Sequence, residues 1–110
     1  MELDIAVVGG RVIAHVGGEL DVESAPRFRR ELDAVLEGAE SLELHLETLT
    51  FLDSSGLGAI LGRYRRLSAR RRPGSGAVMT LWGARPQVEA VLRLSGVDGI
   101  IPLRSAGARR

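Results

Sequence analysis

The chain has no cysteine and no lysine, and all fifteen of its basic residues are arginine. Without cysteine there is no disulfide, no thiolate nucleophile and no thiolate-bearing zinc site. Without lysine there is no Walker-type phosphate lysine, no Schiff-base amine and no lysine general base. Aromatic residues are scarce at 4%, which leaves few rings on which nucleobases could stack. An excess of either charge is missing too. Fifteen basic against fourteen acidic residues give +1, which is no electrostatic footprint for nucleic acid or an anionic membrane. The opening MELDIAVVGG has no basic region followed by a long apolar core, and no run approaches the roughly 18 apolar residues of a membrane span. These absences lead to the expectation of a cytoplasmic chain with neither nucleic acid nor membrane as partner.

What is present suits one core. Hydrophobic residues make up 45% of 110 residues, with no repeat and no low-complexity segment, so residues 1–110 are expected to form a single domain. Two β-rich runs, Leu3–Val8 and Arg11–Val16, flank Gly9-Gly10, a pair suited to a tight hairpin turn. From Ser24 to Glu37 the residues Ala25, Phe28, Leu32, Val35 and Leu36 line one face of a helix, with Ser24 placed to cap it and Gly38 to end it. The segment SLELHLETLTFL alternates, Leu42, Leu44 and Leu46 against Glu43, His45 and Glu47. Such a strand has one wet face, which predicts helices on one side of the sheet only and His45 on the solvated side. Leu57, Ile60, Leu61, Tyr64 and Leu67 mark a second helix, whose Gly56, Gly58 and Gly62 are expected to let its backbone approach the sheet. After the polar loop SARRRPGSG come a strand in AVMTLW, a helix over Pro86–Leu94 with Val88, Val91 and Leu92 inward, and a short strand in GIIPL. The expected core is 3–103, and the tail 104–110 is expected to fray.

The chemistry concentrates in LDSSGLG, where a strand runs into a helix start. Asp53, Ser54 and Ser55 all suit helix capping, and capping alone would account for one of them. Serine catalysis needs an adjacent base, but the two histidines, His15 and His45, lie on strands, and the flanking pattern is not G-x-S-x-G. The spacing of Gly56, Gly58 and Gly62 is not the dinucleotide fingerprint, and two isolated strand histidines make a poor metal site. Arg70-Arg71-Arg72 reads as a solvated loop. One chemistry does fit the serines. A helix N-terminus presents unpaired N–H groups and partial positive charge, so a serine there can carry a phosphoryl group delivered by another protein.

Three stretches carry a family resemblance: GGELD at Gly17–Asp21, FLDSSGLGAILGRY at 51–64, and LSGVDGII at 94–101. Over about Leu3 to Leu103 the chain resembles the STAS domain, and within that family the bacterial anti-sigma factor antagonists. The resemblance implies an α/β fold: a small mixed sheet of four to five strands with helices packed on one face. It also implies a regulatory protein that is not an enzyme and needs no cofactor or metal. In such proteins the unphosphorylated antagonist binds an anti-sigma factor that is also a serine kinase, and so releases the sigma factor. Phosphorylation then dissociates it and a serine phosphatase resets it. By resemblance the phosphorylated residue is Ser55, and the partner-binding residues are Asp21, Val22, Glu23, Ser24, Asp53, Ser54, Gly56 and Leu57. The alternative within the family is a scaffold or accessory module of a larger complex, stressosome-like or serving lipid transport. The chain departs from the family pattern at Thr48, where an acidic residue is common, at Trp82, and in a final helix reduced to a few residues.

Overall fold

The structure is a computed structural model and describes residues 1–106. Strands β1 (Glu2–Val8) and β2 (Arg11–Leu20) form the expected hairpin, with Gly9 at φ +60° in its turn. Helix α1 (Ala25–Leu36) buries Ala25, Phe28, Leu32 and Leu36, and Gly38 at φ +77° follows it. Next come β3 (Ser41–His45), β4 (Leu49–Leu52) and α2 (Ser54–Ser68). They are followed by β5 (Met79–Trp82), α3 (Pro86–Leu94), a 3-10 turn at Val97–Gly99, and β6 (Leu103–Arg104). Strands run in the order β1-β2-β3-β5-β6, parallel except for the first pair, and β4 joins the far end of β2.

The expected third strand is therefore two. After His45 the chain turns at Glu47–Thr48 and re-enters the sheet beside a different part of β2. The exchange of partners happens at Gly17-Gly18. Gly18 adopts φ +76° and its N–H donates to Thr48 O at 3.0 Å, while the register shifts between Gly18 and Glu19. A Cβ on Gly17 would come within 2.7 Å of Thr48 Oγ1 and 2.8 Å of Glu2 Oε1, so a larger residue there would make those side chains give way. The shift skips Thr50. Leu49 and Leu52, three residues apart, thus both point into the core, and Phe51 is left 46% exposed.

One sheet face carries the core. Val12, Ala14 and Val16 of β2, Leu42 and Leu44 of β3, and Met79 and Leu81 of β5 are buried with Phe28, Leu32, Ile60, Val88 and Leu92 of the helices. The opposite face departs from expectation at one point. His45 is only 4% exposed, although Glu43 and Glu47 beside it remain partly open. Cross-strand register explains this, because His15, His45 and Trp82 are direct partners on β2, β3 and β5. The two imidazoles stack with centroids 4.6 Å apart, and His45 stacks on the indole at 5.9 Å. Glu43 Oε1 lies 3.2 Å from His45 Nε2, and Trp82 Nε1 donates to Thr80 Oγ1 at 2.8 Å. Rings on the solvent face thus cover one another. His45→Ala is expected to cost about 1–2 kcal/mol in denaturant unfolding, since two ring contacts are lost, and a cost indistinguishable from zero would contradict the stack.

Helix α2 also sits differently from its sequence pattern. Its buried stripe is Gly56, Ala59, Ile60, Arg63 and Leu67, while Leu57, Leu61 and Tyr64 are half-buried. Arg63 Nε lies 3.0 Å from Asp33 Oδ1 on α1, and burial pulls this guanidinium below its usual pKa against the opposing pull of Asp33. Of the three helix glycines expected to approach the sheet, only Gly56 does so. A Cβ on Gly58 or Gly62 would meet nothing within 4 Å. Gly62→Ala should therefore raise stability by about 0.5–1 kcal/mol through helix propensity alone, measurable as a higher unfolding midpoint. Arg104, expected in the loose tail, is the second residue of β6, and its carbonyl accepts from Gly83 N–H at 2.9 Å. Residues 107–110 of that tail lie outside the described residues.

Candidate functional site

The site forms where β2 and β4 end side by side, with Leu20 paired to Leu52. Asp53 follows β4 in extended conformation and is the N-cap of α2. Its Oδ1 accepts from Gly56 N–H at 2.9 Å, and its carbonyl accepts from Leu57 N–H at 2.9 Å. The capping task thus falls to the aspartate. Ser54 and Ser55 occupy the first turn, Ser54 exposed and Ser55 half-buried, and neither hydroxyl makes a hydrogen bond among the described residues. Their amides belong to the N–H groups that an α-helix start leaves without intrahelical acceptors.

Asp53 also ties the second loop to the first. Its Oδ2 accepts from Val22 N–H at 3.3 Å, which joins the β2–α1 loop to the head of α2. Within that loop Asp21 Oδ1 accepts from Glu23 N–H and Ser24 N–H, both at 3.0 Å, and from Ser24 Oγ at 3.1 Å. The Ser24 N–H contributes most to holding the Asp21 carboxyl below the usual carboxylate range, helped by the Ser24 hydroxyl and Glu23 N–H and opposed by desolvation. A depressed value means the ionised form is the one the fold favours. The loop's stabilisation is therefore complete at neutral pH and is lost only as acid protonates Asp21. Ser24 stands at the N-cap of α1 but makes no side-chain cap, because its Oγ accepts instead from Asp21 N–H at 3.0 Å.

The residues singled out from the sequence thus gather at one end of the sheet, with different surroundings. Val22 (67% exposed), Glu23 and Ser54 are open to solvent, and Ser55 and Leu57 are half-buried. Asp21, Ser24 and Asp53 spend polar atoms shaping the two loops, and Gly56 is buried against Leu20 and Leu52. Phe51 belongs to the same end and was not singled out. Period-two alternation in LTFL would place it on the same side as Leu49, and only the register shift between Gly18 and Glu19 turns it outward. No group of three or more His, Cys, Asp or Glu side chains is placed to hold a metal ion among the described residues. No described helix is long and apolar enough to cross a membrane.

Comparison with known proteins finds relatives in sequence and in fold. An anti-sigma F factor antagonist of Paenibacillus polymyxa is 34% identical over 96 residues, covering 86% of this chain and 78% of that protein. The anti-sigma factor antagonist SpoIIAA in its unphosphorylated form matches with a TM-score of 0.77 at 27% identity, over 93% of this chain and 87% of that one. SpoIIAA of Bacillus in its phosphorylated form matches with a TM-score of 0.70 at 25% identity, over 93% and 90% respectively. The family model for the STAS domain covers residues 2–108, so with the sheet order and the paired loops already described, the chain belongs to the STAS domain family.

Proposed function

We propose that this protein is an anti-sigma factor antagonist regulated by phosphorylation of Ser55. Unphosphorylated, it binds an anti-sigma factor that is also a serine kinase and so frees the sigma factor. The kinase modifies Ser55, the complex dissociates, and a serine phosphatase restores the binding form. What supports this above all is the state of the two serines. They stand on the first turn of a helix whose cap is already supplied by Asp53, with hydroxyls that no hydrogen bond among the described residues occupies. A serine whose hydroxyl is committed to neither capping nor another such bond is available to another protein's active site, which then supplies base, metal and nucleotide.

The surroundings suit a docking surface. Val22 and Phe51 offer exposed apolar side chains, and Leu57 on α2 is half-exposed. Glu19 and Glu23 are exposed beside Asp21 and Asp53, which gives the rim a negative sign. The partner's facing surface is then basic, and association should slow as salt rises. The protein is a substrate of the switch and no catalyst: His15 and His45 are stacked on the open sheet face and neither is a base for Ser55. Incubating the protein with its kinase partner and ATP, then mapping the phosphate, tests the assignment. Ser54→Ala should be modified normally and Ser55→Ala not at all; phosphate found on Ser54 alone would overturn it.

A further inference from the structure

At the opposite end of the sheet, where β2, β3 and β5 begin, lies a cleft of about 700 Å³ that shares no residue with the serine site. The arginine triplet that follows α2 does not simply face solvent. Arg70, Arg71 and Arg72 line this cleft together with Arg11 from the first position of β2, and among the described residues Glu40 is the only carboxylate residue in the wall. Four guanidinium groups stand against the Glu40 carboxylate in the wall and the Glu43 carboxylate that pairs with Arg11 at 2.7 Å, a local excess of positive charge in a chain whose net charge is +1. Two of the four are braced by backbone. Arg70 Nη2 donates to Leu36 O at 2.9 Å, and Arg71 Nη2 donates to Ser75 O at 3.3 Å, leaving the remaining N–H donors of each fork uncommitted. Arg11 is oriented by Glu43 at 2.7 Å, and Arg72 makes no hydrogen bond or ion pair among the described residues. Ser41 adds a hydroxyl to the same wall.

We infer that this cleft is a binding site for a small anion carrying two or more phosphates. Planar forks matched to phosphate oxygens supply the recognition, and several guanidiniums around one ligand favour a multiply charged anion over a single carboxylate. The volume falls within the range of small-molecule sites. Its concave shape, built from a strand start, a helix end and two loops, favours a soluble polyphosphate over a flat anionic surface. A soluble phosphate compound and a lipid headgroup share this chemistry, and the experiment separates them.

Inorganic tripolyphosphate is titrated into the full chain at low salt by calorimetry, with ¹⁵N chemical shifts mapping the contact. Saturable binding is expected, with shifts at Arg11, at 38–41 and at 70–78, and none at Ser54 or Ser55. Arg71→Gln with Arg72→Gln should weaken binding by about tenfold or more, since each removes a charge-assisted contact. Arg29→Gln with Arg30→Gln, which removes the same charge from the exposed face of α1, should leave binding within about twofold. Equal weakening by both pairs would reduce the effect to net charge and overturn the site, as would the absence of saturable binding into the millimolar range. Phosphatidylglycerol vesicles form the second arm. Sedimentation with vesicles that depends on Arg71 and Arg72, without tripolyphosphate binding, would overturn the soluble ligand in favour of a membrane surface.

Discussion

Phosphorylated Ser55 should bind the anti-sigma factor about a hundredfold more weakly than the unmodified protein while keeping the domain folded. The phosphate adds roughly −1.5 to −2 charges. Within the domain it sits at a helix start, where N–H groups and the macrodipole tolerate an anion. Its cost there is competition with Asp53, two residues away, for the same positive end, which affects one turn and not the core. At an interface the balance differs. The new charge must lose water against a surface already carrying Glu19, Glu23 and Asp53, and a penalty of about 3 kcal/mol corresponds to roughly a hundredfold in affinity. That SpoIIAA matches this fold in both its unphosphorylated and its phosphorylated form supports the idea that this architecture survives the modification. Ser55→Ala should bind constitutively, and Ser55→Asp should bind poorly. Calorimetric titration of these variants against the partner with ADP, together with far-UV circular dichroism before and after phosphorylation, gives the answer. Equal affinity for the modified and unmodified proteins would remove the switch.

Gly56→Ala should destabilise the domain by about 3 kcal/mol, and Gly58→Ala, one half-turn along, should not destabilise it at all. A Cβ on Gly56 would collide with the carbonyl oxygen of Leu20 and come within 2.8 Å of Leu52 Cδ1 and 2.9 Å of Leu20 Cγ. The carbonyl cannot swing aside as a flexible side chain would, because it belongs to β2 where that strand pairs with β4. Relief requires moving the head of α2 off the sheet, which is overpacking at the upper end of its usual cost. It would also lengthen the Val22–Asp53 and Gly56–Asp53 bonds that hold the two loops together. Around Gly58 there is open space, so alanine there gains helix propensity. Denaturant unfolding of the two variants measures the difference, and a Gly56→Ala protein as stable as the parent would show that the close approach carries no weight. Because the proposed docking surface lies at the same end, Gly56→Ala should also impair binding, whereas Gly62→Ala, farther along the helix, should leave it unchanged.

Much of this protein was legible in one dimension. The hairpin at Gly9-Gly10, the helix over Pro86–Leu94 and the one-sided sheet follow from turn residues and from periods of two and 3.6, which local sterics and the burial of one face impose wherever the chain lies. The family, too, was readable in GGELD and FLDSSGLG. What the sequence could not determine depends on which segments become neighbours. Alternation placed His45 on the wet face correctly, but only the register of three strands buries it between His15 and Trp82. Three helix glycines look alike in sequence, and the crossing of α2 over Leu20 separates Gly56 from the other two. Asp53, Ser54 and Ser55 were equivalent candidates for the cap until the chain's entry direction gave that role to Asp53 and left both serines in the first turn. Arg70–Arg72 became the wall of a cleft only when the start of β2 brought Arg11 opposite them. Sequence patterning determines which elements form and, where the period is unbroken, which way their side chains face, because those are properties of a few consecutive residues. Burial on a solvent face, close backbone approach and the convergence of charges are properties of pairs far apart in the chain, and only the tertiary packing decides them.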